Sequence, residues 1–261
     1  MLWNSTAIIG YSLHATDGHI GTVNDILFED AHWSARWLVA DTGAWLPGRK
    51  VLIPVSELGA PDRALSTFPV KLTKDQIKNS PDSDTHKSVS RQHEVNIYEF
   101  YDLEPYWGGG LYALSNAMAV PFRAPPPPAL HPKTEVLSAA VAVAPVALED
   151  DQHLHSVEAV IGYHIHATDG EIGHAADFLI DDETWEIRYI KADTRNWWPG
   201  QRVLISPDSV VKISWLERFI HVNVDKEKVK ESPPYHDDIT VDGVYDEKLR
   251  AYYSSAYLGI M

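Results

Sequence analysis

The stretch IGYSLHATDGHIG, Ile9 to Gly21, returns as IGYHIHATDGEIG, Ile161 to Gly173, 152 positions further on. The same displacement runs without a gap to Val51-Leu52-Ile53 and Val203-Leu204-Ile205. After a variable middle it resumes at Ile77-Lys78-Asn79-Ser80-Pro81 and Val229-Lys230-Glu231-Ser232-Pro233. Spacing kept over such a distance marks a duplicated structural unit, so one unit is read twice and not one large fold once.

Within the unit, short β-branched and aromatic runs alternate with turn residues, which is the pattern of strands and hairpins. Asp17-Gly18 and Asp169-Gly170 supply the Asp-Gly pair that favours a tight hairpin turn. A second acidic turn falls at Asp30 and at Asp181-Asp182-Glu183. The next strand begins at Arg36-Trp37 or Arg188-Tyr189 and ends at Asp41-Thr42 or Asp193-Thr194. A Trp-x-Pro-Gly turn then precedes Val51-Leu52-Ile53 and its counterpart. A late strand, Val70 to Leu72 or His221 to Val224, leads into a short helix. Thr73 or Asp225 opens that helix by accepting from first-turn amides, and Ser-Pro closes it, because proline cannot continue a helix. Closing many short strands into a barrel removes exposed sheet edges. The expected fold is mainly β: two tandem small β-barrels, each with a short helix and a helical, aromatic tail. Residues 1–110 form the first domain, 111–156 an Ala/Pro-rich linker with four prolines at Pro125 to Pro128, and 157–261 the second domain.

The chain has 261 residues, no cysteine and a net charge of −15, with balances of −5, 0 and −10 over residues 1–110, 111–149 and 150–261. Thiolate metal sites, disulfides and cysteine nucleophiles are excluded. So acidic a surface repels a phosphate backbone, which argues against direct nucleic-acid binding. The first residues lack the basic start of a secretory signal, and no run approaches the roughly 18 apolar residues of a spanning helix. The expectation is a cytoplasmic protein without a transmembrane segment.

The ordered set Gly-Tyr, Asp-Gly-x-Ile-Gly, acidic turn, Arg-Trp/Tyr, Asp-Thr, Trp-x-Pro-Gly and terminal Ser-Pro resembles the PRC-barrel family, twice, over about residues 5–85 and 157–237. The family's barrel forms the cytoplasmic domain of the photosynthetic reaction-centre H subunit, and a similar barrel ends a bacterial ribosome maturation factor. The resemblance implies a barrel that docks on other proteins. This chain has neither the H subunit's transmembrane helix nor an RNA-processing companion domain, so neither specific role carries over.

Three residue classes could hold chemistry. Histidines gather near the Asp-Gly turn: His14 and His19 in the first copy, His164, His166 and His174 in the second. Only His14 and His166 match, however; His164 stands where the first copy has Ser12, and His174 where it has Thr22. No metal or other cofactor is therefore expected. The paired carboxylates Asp17/Asp169, Asp25/Asp177 and Asp41/Asp193 suit acid–base work in number. Asp17, Gly18, Asp169 and Gly170 have a turn explanation, and Asp41 and Asp193 a strand-end cap or an ion pair to Arg36 or Arg188. No nucleophile motif, P-loop or dinucleotide fingerprint appears, so no enzyme is expected.

Aromatic residues in turns mark contact surfaces. Trp45, Pro47, Trp197, Trp198 and Pro199 in the Trp-x-Pro-Gly turns, with Trp107 in the first tail, are the expected partner-binding residues. The function expected from sequence is a non-enzymatic binding or scaffold protein whose paired barrels contact a protein partner, with peripheral attachment to a membrane complex as one setting. The barrels are expected to pack on each other or on a second chain, burying tail aromatics and at least one Trp-x-Pro-Gly turn. A small-ligand or metal sensor is the alternative reading, and a hydrolase comes last.

Overall fold

The computed structural model describes residues 1–81, 91–103, 154–194, 202–236, 241 and 243–257. In the first repeat, β1 (Leu2–Asn4) and α1 (Ser5–Ile8) precede β2 (Ser12–Ala15), β3 (Gly18–Glu29), β4 (Ser34–Asp41), β5 (Lys50–Pro54) and β6 (Thr67–Pro69). Helices α2 (Lys74–Lys78) and α3 (Arg91–Phe100) follow. The second repeat has β7 (Leu154–Ser156), α4 (Val157–Val160), β8 (His164–Ala167), β9 (Gly170–Asp181), β10 (Ile187–Asp193), β11 (Arg202–Ile205), β12 (Val210–Ser214) and β13 (Phe219–Val222). It ends on α5 (Lys226–Glu231) and α6 (Gly243–Tyr257). The chain is mainly β and forms two sheets, in the orders β5-β4-β3-β2-β6 and β11-β10-β9-β8-β13-β12. Among the described residues neither order closes on itself, and no helix is long and apolar enough to cross a membrane.

Each repeat lends its first strand to the other. β1 pairs antiparallel with β9, setting Trp3 opposite Ile180, and β7 pairs antiparallel with β3, setting His155 opposite Phe28. The reason lies in the length of β3 and β9. The first part of β3 pairs with β2 and alternates buried and exposed, while its last five residues, Asp25 to Glu29, are all buried. That second part keeps β4 along one edge but runs past the end of β2, and the sister strand fills the vacant edge on that side. Its outer face lies under the tail helix, where Leu27, Trp37, Val39 and Leu52 pack on Ile97, Tyr98 and Leu154. Strand β7 occupies the last three residues of the stretch read as linker.

Equivalent residues meet at the centre, as a two-fold relation requires. Ser34 and its counterpart Glu186 form an antiparallel bridge. Ala35 N–H donates to Trp185 O at 2.8 Å, and Ile187 N–H donates to Trp33 O at 2.7 Å. Trp33 and Trp185 both sit at positive φ, 53° and 60°, a conformation a bulky side chain adopts only where packing repays it. The repayment is visible. Trp33 stacks on Phe28, Phe28 lies 6.0 Å from Phe178, and Trp185 lies 6.1 Å from Phe68, so the two sheets share one core. Contrary to expectation, the described tail aromatics turn onto their own sheets and not into this seam. Trp37 Nε1–H donates to Glu94 and Tyr101 O–H to Leu52 O. In the second repeat Tyr189 O–H donates to Asp246 and Tyr253 O–H to Leu204 O. These residues stand 152 apart, so the duplication runs through the tails.

Gly21 and Gly173 close the Asp-Gly-x-Ile-Gly motif for a steric reason. Each has φ near the edge of the glycine-only region, 140° and 127°, and a Cβ there would lie 2.0 Å from Asp41 O or Asp193 O.

Candidate functional site

The paired carboxylates are consumed by the architecture. Asp25 is buried in the overhang of β3, where it accepts from Ser156 Oγ and from Glu158 N–H at 3.2 Å. Asp177 accepts from Ser5 Oγ at 2.6 Å and from Thr6 N–H and Oγ1 at 3.2 and 2.5 Å. Each aspartate thus caps the short helix that follows the other repeat's exchanged strand. Burial raises the Asp25 pKa above the usual carboxylate value, while the bonds from Ser156 and the Ile26 amide pull it down.

Asp17 and Asp169 also act at a distance. Asp17 Oδ1 accepts from Lys74 N–H at 2.8 Å and Asp169 Oδ1 from Lys226 N–H at 3.0 Å, so the hairpin turns beginning at Gly18 and Gly170 are pinned to α2 and α5. Thr73 and Gln76 complete a reciprocal cap on α2, and Asp225 accepts from Lys228 N–H on α5. Asp41 is exposed and accepts from Gly43 N–H, the strand-end cap; Asp193 is buried. The arginines pair with other acids: Arg36 with Glu29 at 3.6 Å, and Arg188 with Glu186 and Asp246 at 3.0 and 3.3 Å.

In the first Trp-x-Pro-Gly turn, Trp45 is half-buried with the Lys74 ammonium 5.2 Å from its ring centre, and Pro47 is exposed. The loop is held by Thr42, whose hydroxyl lies 2.8 Å from Leu46 O and 2.6 Å from Arg49 O. The Arg49 guanidinium in turn donates to Lys78 O and Ser80 O beyond α2. Trp107, Trp197, Trp198 and Pro199 lie outside the described residues.

The exchanged strands rest on two junctions of matched position and different chemistry. On β1, the Trp3 ring is covered by the Arg63 guanidinium at 4.0 Å, and its Nε1–H donates to Asp182 at 3.0 Å. On β7, the equivalent His155 stacks on Trp215 at 3.5 Å, and its Nε2 lies 3.3 Å from Asp30 Oδ2 without hydrogen-bond alignment. Beside these junctions stand two equivalent turns, each with a residue at positive φ, Ser66 and Arg218. Each turn leaves a leucine in solvent, Leu65 at 70 % exposure and Leu216 at 96 %, and Val211 on edge strand β12 is 70 % exposed. A cleft of about 600 Å³ opens between the turn at Ala31–Trp33 and the start of β10, which carries Arg188 and Tyr189.

Histidines occupy the outer face of the second sheet. β8 pairs antiparallel with β9, setting His164 opposite His174 and His166 opposite Glu171. It pairs parallel with β13, setting His166 opposite His221 and His164 opposite Phe219. The rings of His166 and His221 are 5.7 Å apart, and His164 Nδ1 lies 2.8 Å from Glu171 Oε1. In the first repeat the His14 and His19 rings are 5.3 Å apart. As the side chains stand, no three or more His, Asp or Glu among the described residues converge on a point that would hold a metal ion. Sequence reasoning missed His221 and Phe219, whose only signal was the expected late strand at His221 to Val224.

The chain matches no family model, and no curated protein matches it in sequence.

Proposed function

We propose that this chain is a non-enzymatic binding protein of the PRC-barrel type, working in a cytoplasmic setting as a rigid two-barrel body that docks on a protein partner. The barrel reading is supported by chain length. A flat path of six strands holds its outer members about 24 Å apart, whereas the five steps from Ile205 to Val210 span at most about 18 Å. The second sheet therefore curls toward closure. In the first repeat Leu58, four positions beyond β5, bridges to Val70 just past β6, which supports the same curl.

The binding reading rests on one observation: equivalent turns of the two repeats each hold a leucine in water, while Asp17, Asp25 and Asp41, the acids an enzyme would use, are engaged in structural bonds. Apolar side chains projecting from two equivalent turns, one residue out of register with each other, suit a protein contact. The test places a photo-crosslinking amino acid at position 65 or 216 in cells, with position 183 as an exposed polar control. Discrete adducts of one protein from both leucine positions, and none from the control, support the proposal. Adducts indistinguishable from the control, or none, overturn it.

A further inference from the structure

The residues that build the two halves recur in pairs, and His166 is matched by His14, whereas the other imidazoles on the outer face of the second sheet, His164, His174 and His221, do not recur. On the same three strands the first repeat carries Ser12, Thr22, Thr67 and Pro69 where the second carries His164, His174, Phe219 and His221. These histidines are therefore not required by the fold. The parallel pairing of β13 with β8 makes His166 and His221 direct cross-strand neighbours on a face turned away from the core, whose own residues are Ile165, Ile220 and Val222. Two imidazoles that ligate one ion at about 2.0–2.1 Å have ring centres some 5 Å apart, close to the 5.7 Å seen between these two. Both are half-buried, so their side chains are partly ordered while the outer side stays open to water. His164, two residues before His166 on the same face, is held by Glu171 at 2.8 Å, and the carboxylate supplies negative charge beside the pair.

We propose that His166 and His221 chelate a divalent transition-metal ion, Cu²⁺ most tightly and Ni²⁺ and Zn²⁺ more weakly, with water completing the coordination shell. Imidazole is a ligand of intermediate softness that selects these ions over Mg²⁺ and Ca²⁺, and the order of affinity follows the general series for divalent ions. Comparison of the two copies in sequence argued against a metal. The strand pairing changes that conclusion, because it brings in a histidine 55 positions from His166 that no local spacing reveals.

The test uses the full chain, titrated with CuCl₂, NiCl₂, ZnCl₂ and MgCl₂ at pH 7.5, with calorimetry for stoichiometry and electron paramagnetic resonance for the nitrogen ligands of Cu²⁺. The expected result is a Cu²⁺ site with two imidazole nitrogens that His166 and His221 supply, weaker binding of Ni²⁺ and Zn²⁺ there, and none of Mg²⁺. His221→Ala and His166→Ala should each weaken Cu²⁺ more than about tenfold, equivalent to roughly 1.4 kcal/mol. His14→Ala in the first repeat should leave that site unchanged, and so should the melting temperature in every variant, because these side chains lie outside the core. Absence of saturable Cu²⁺ binding, or binding that survives His166→Ala/His221→Ala, overturns the proposal. Should either single variant misfold, His221→Gln, which keeps volume and polarity, provides the same test.

Discussion

Replacing Asp25 by alanine should unlock half of the strand exchange. The carboxylate accepts two bonds across the repeat boundary, from Ser156 Oγ and the Glu158 amide, and one from Ile26 N–H at 2.7 Å beside it. Hydrogen bonds to charged groups contribute about 1.5–3 kcal/mol each, and neutral ones about 1. Burial of the carboxylate offsets part of this, as its raised pKa records. A net loss of about 2–3 kcal/mol is therefore expected. Because the two sheets share one core, the body should melt as one unit of about 200 residues, for which each kcal/mol moves Tm by about 2–4 °C. Asp25→Ala should lower Tm by about 4–12 °C in calorimetry at pH 7 and speed amide exchange over residues 154–160. Asp25→Asn keeps an acceptor for the amides and turns a donor toward Ser156 Oγ, so it should cost less than about 1 kcal/mol. An Asp25→Ala protein melting within about 1 °C of the parent, or an Asp25→Asn protein as unstable as Asp25→Ala, would refute the assignment of Asp25 as a neutral-tolerant cap.

Further outcomes follow from other sites. Raising the pKa of Asp25 means the folded state binds its proton more readily than the unfolded chain, so this group's contribution falls as pH rises through the folded value. Denaturation across pH 4–7 should therefore show the parent gaining on Asp25→Asn as the solution is acidified. Burial pushes Tyr101, Tyr245 and Tyr252 up to about 12. Their stabilisation should be complete below the ordinary tyrosine value near 10 and vanish toward pH 12, seen as phenolate absorbance rising together with loss of tail-helix circular dichroism. Gly21→Ala must displace the Asp41 carbonyl and should cost at least about 3 kcal/mol, whereas Gly10→Ala, at φ 86° with open space around it, should cost about 1–2. Residues 1–103 expressed alone should form a dimer by light scattering, each β1 filling the other copy's vacant edge; a monomer melting like the full chain would contradict that.

Much of this fold is legible in the sequence, and what escapes it shares one physical cause. The duplication, the Asp-Gly hairpins and the helices opening at Thr73 and Asp225 and stopping at Ser-Pro are local features, read from residues within a turn of each other. The exchange is carried by strands of three residues, too short for periodicity to register. Its one trace was the run Ile26-Leu27-Phe28, matched by Phe178-Leu179-Ile180, where an alternating strand becomes apolar on both faces. Asp17 was legible as a turn residue but not as a cap, because the amide it serves lies 57 positions away. Asp25 needed Ser156, 131 positions on, to explain it. His221 became relevant only once β13 was known to lie beside β8.

The exchange of first strands also sets a timetable for synthesis. A ribosome adding about 5–20 residues per second takes about 3–10 s to pass from Leu103 to Leu154. During that interval the emerged repeat holds every strand of its sheet except the one beside the second half of β3, whose edge away from β4 stays unpaired at Leu27 to Glu29. The N-terminal strand waits longer, since its place beside Leu179 to Asp181 does not yet exist. Nascent chains on one message pass each other in this half-finished state, each with a loose β1 and a vacant edge of matching shape. Whether the product is one closed body or a chain of cross-threaded neighbours is thus settled by how quickly the second half follows the first, and slowing translation between the repeats should shift the yield from monomer to oligomer.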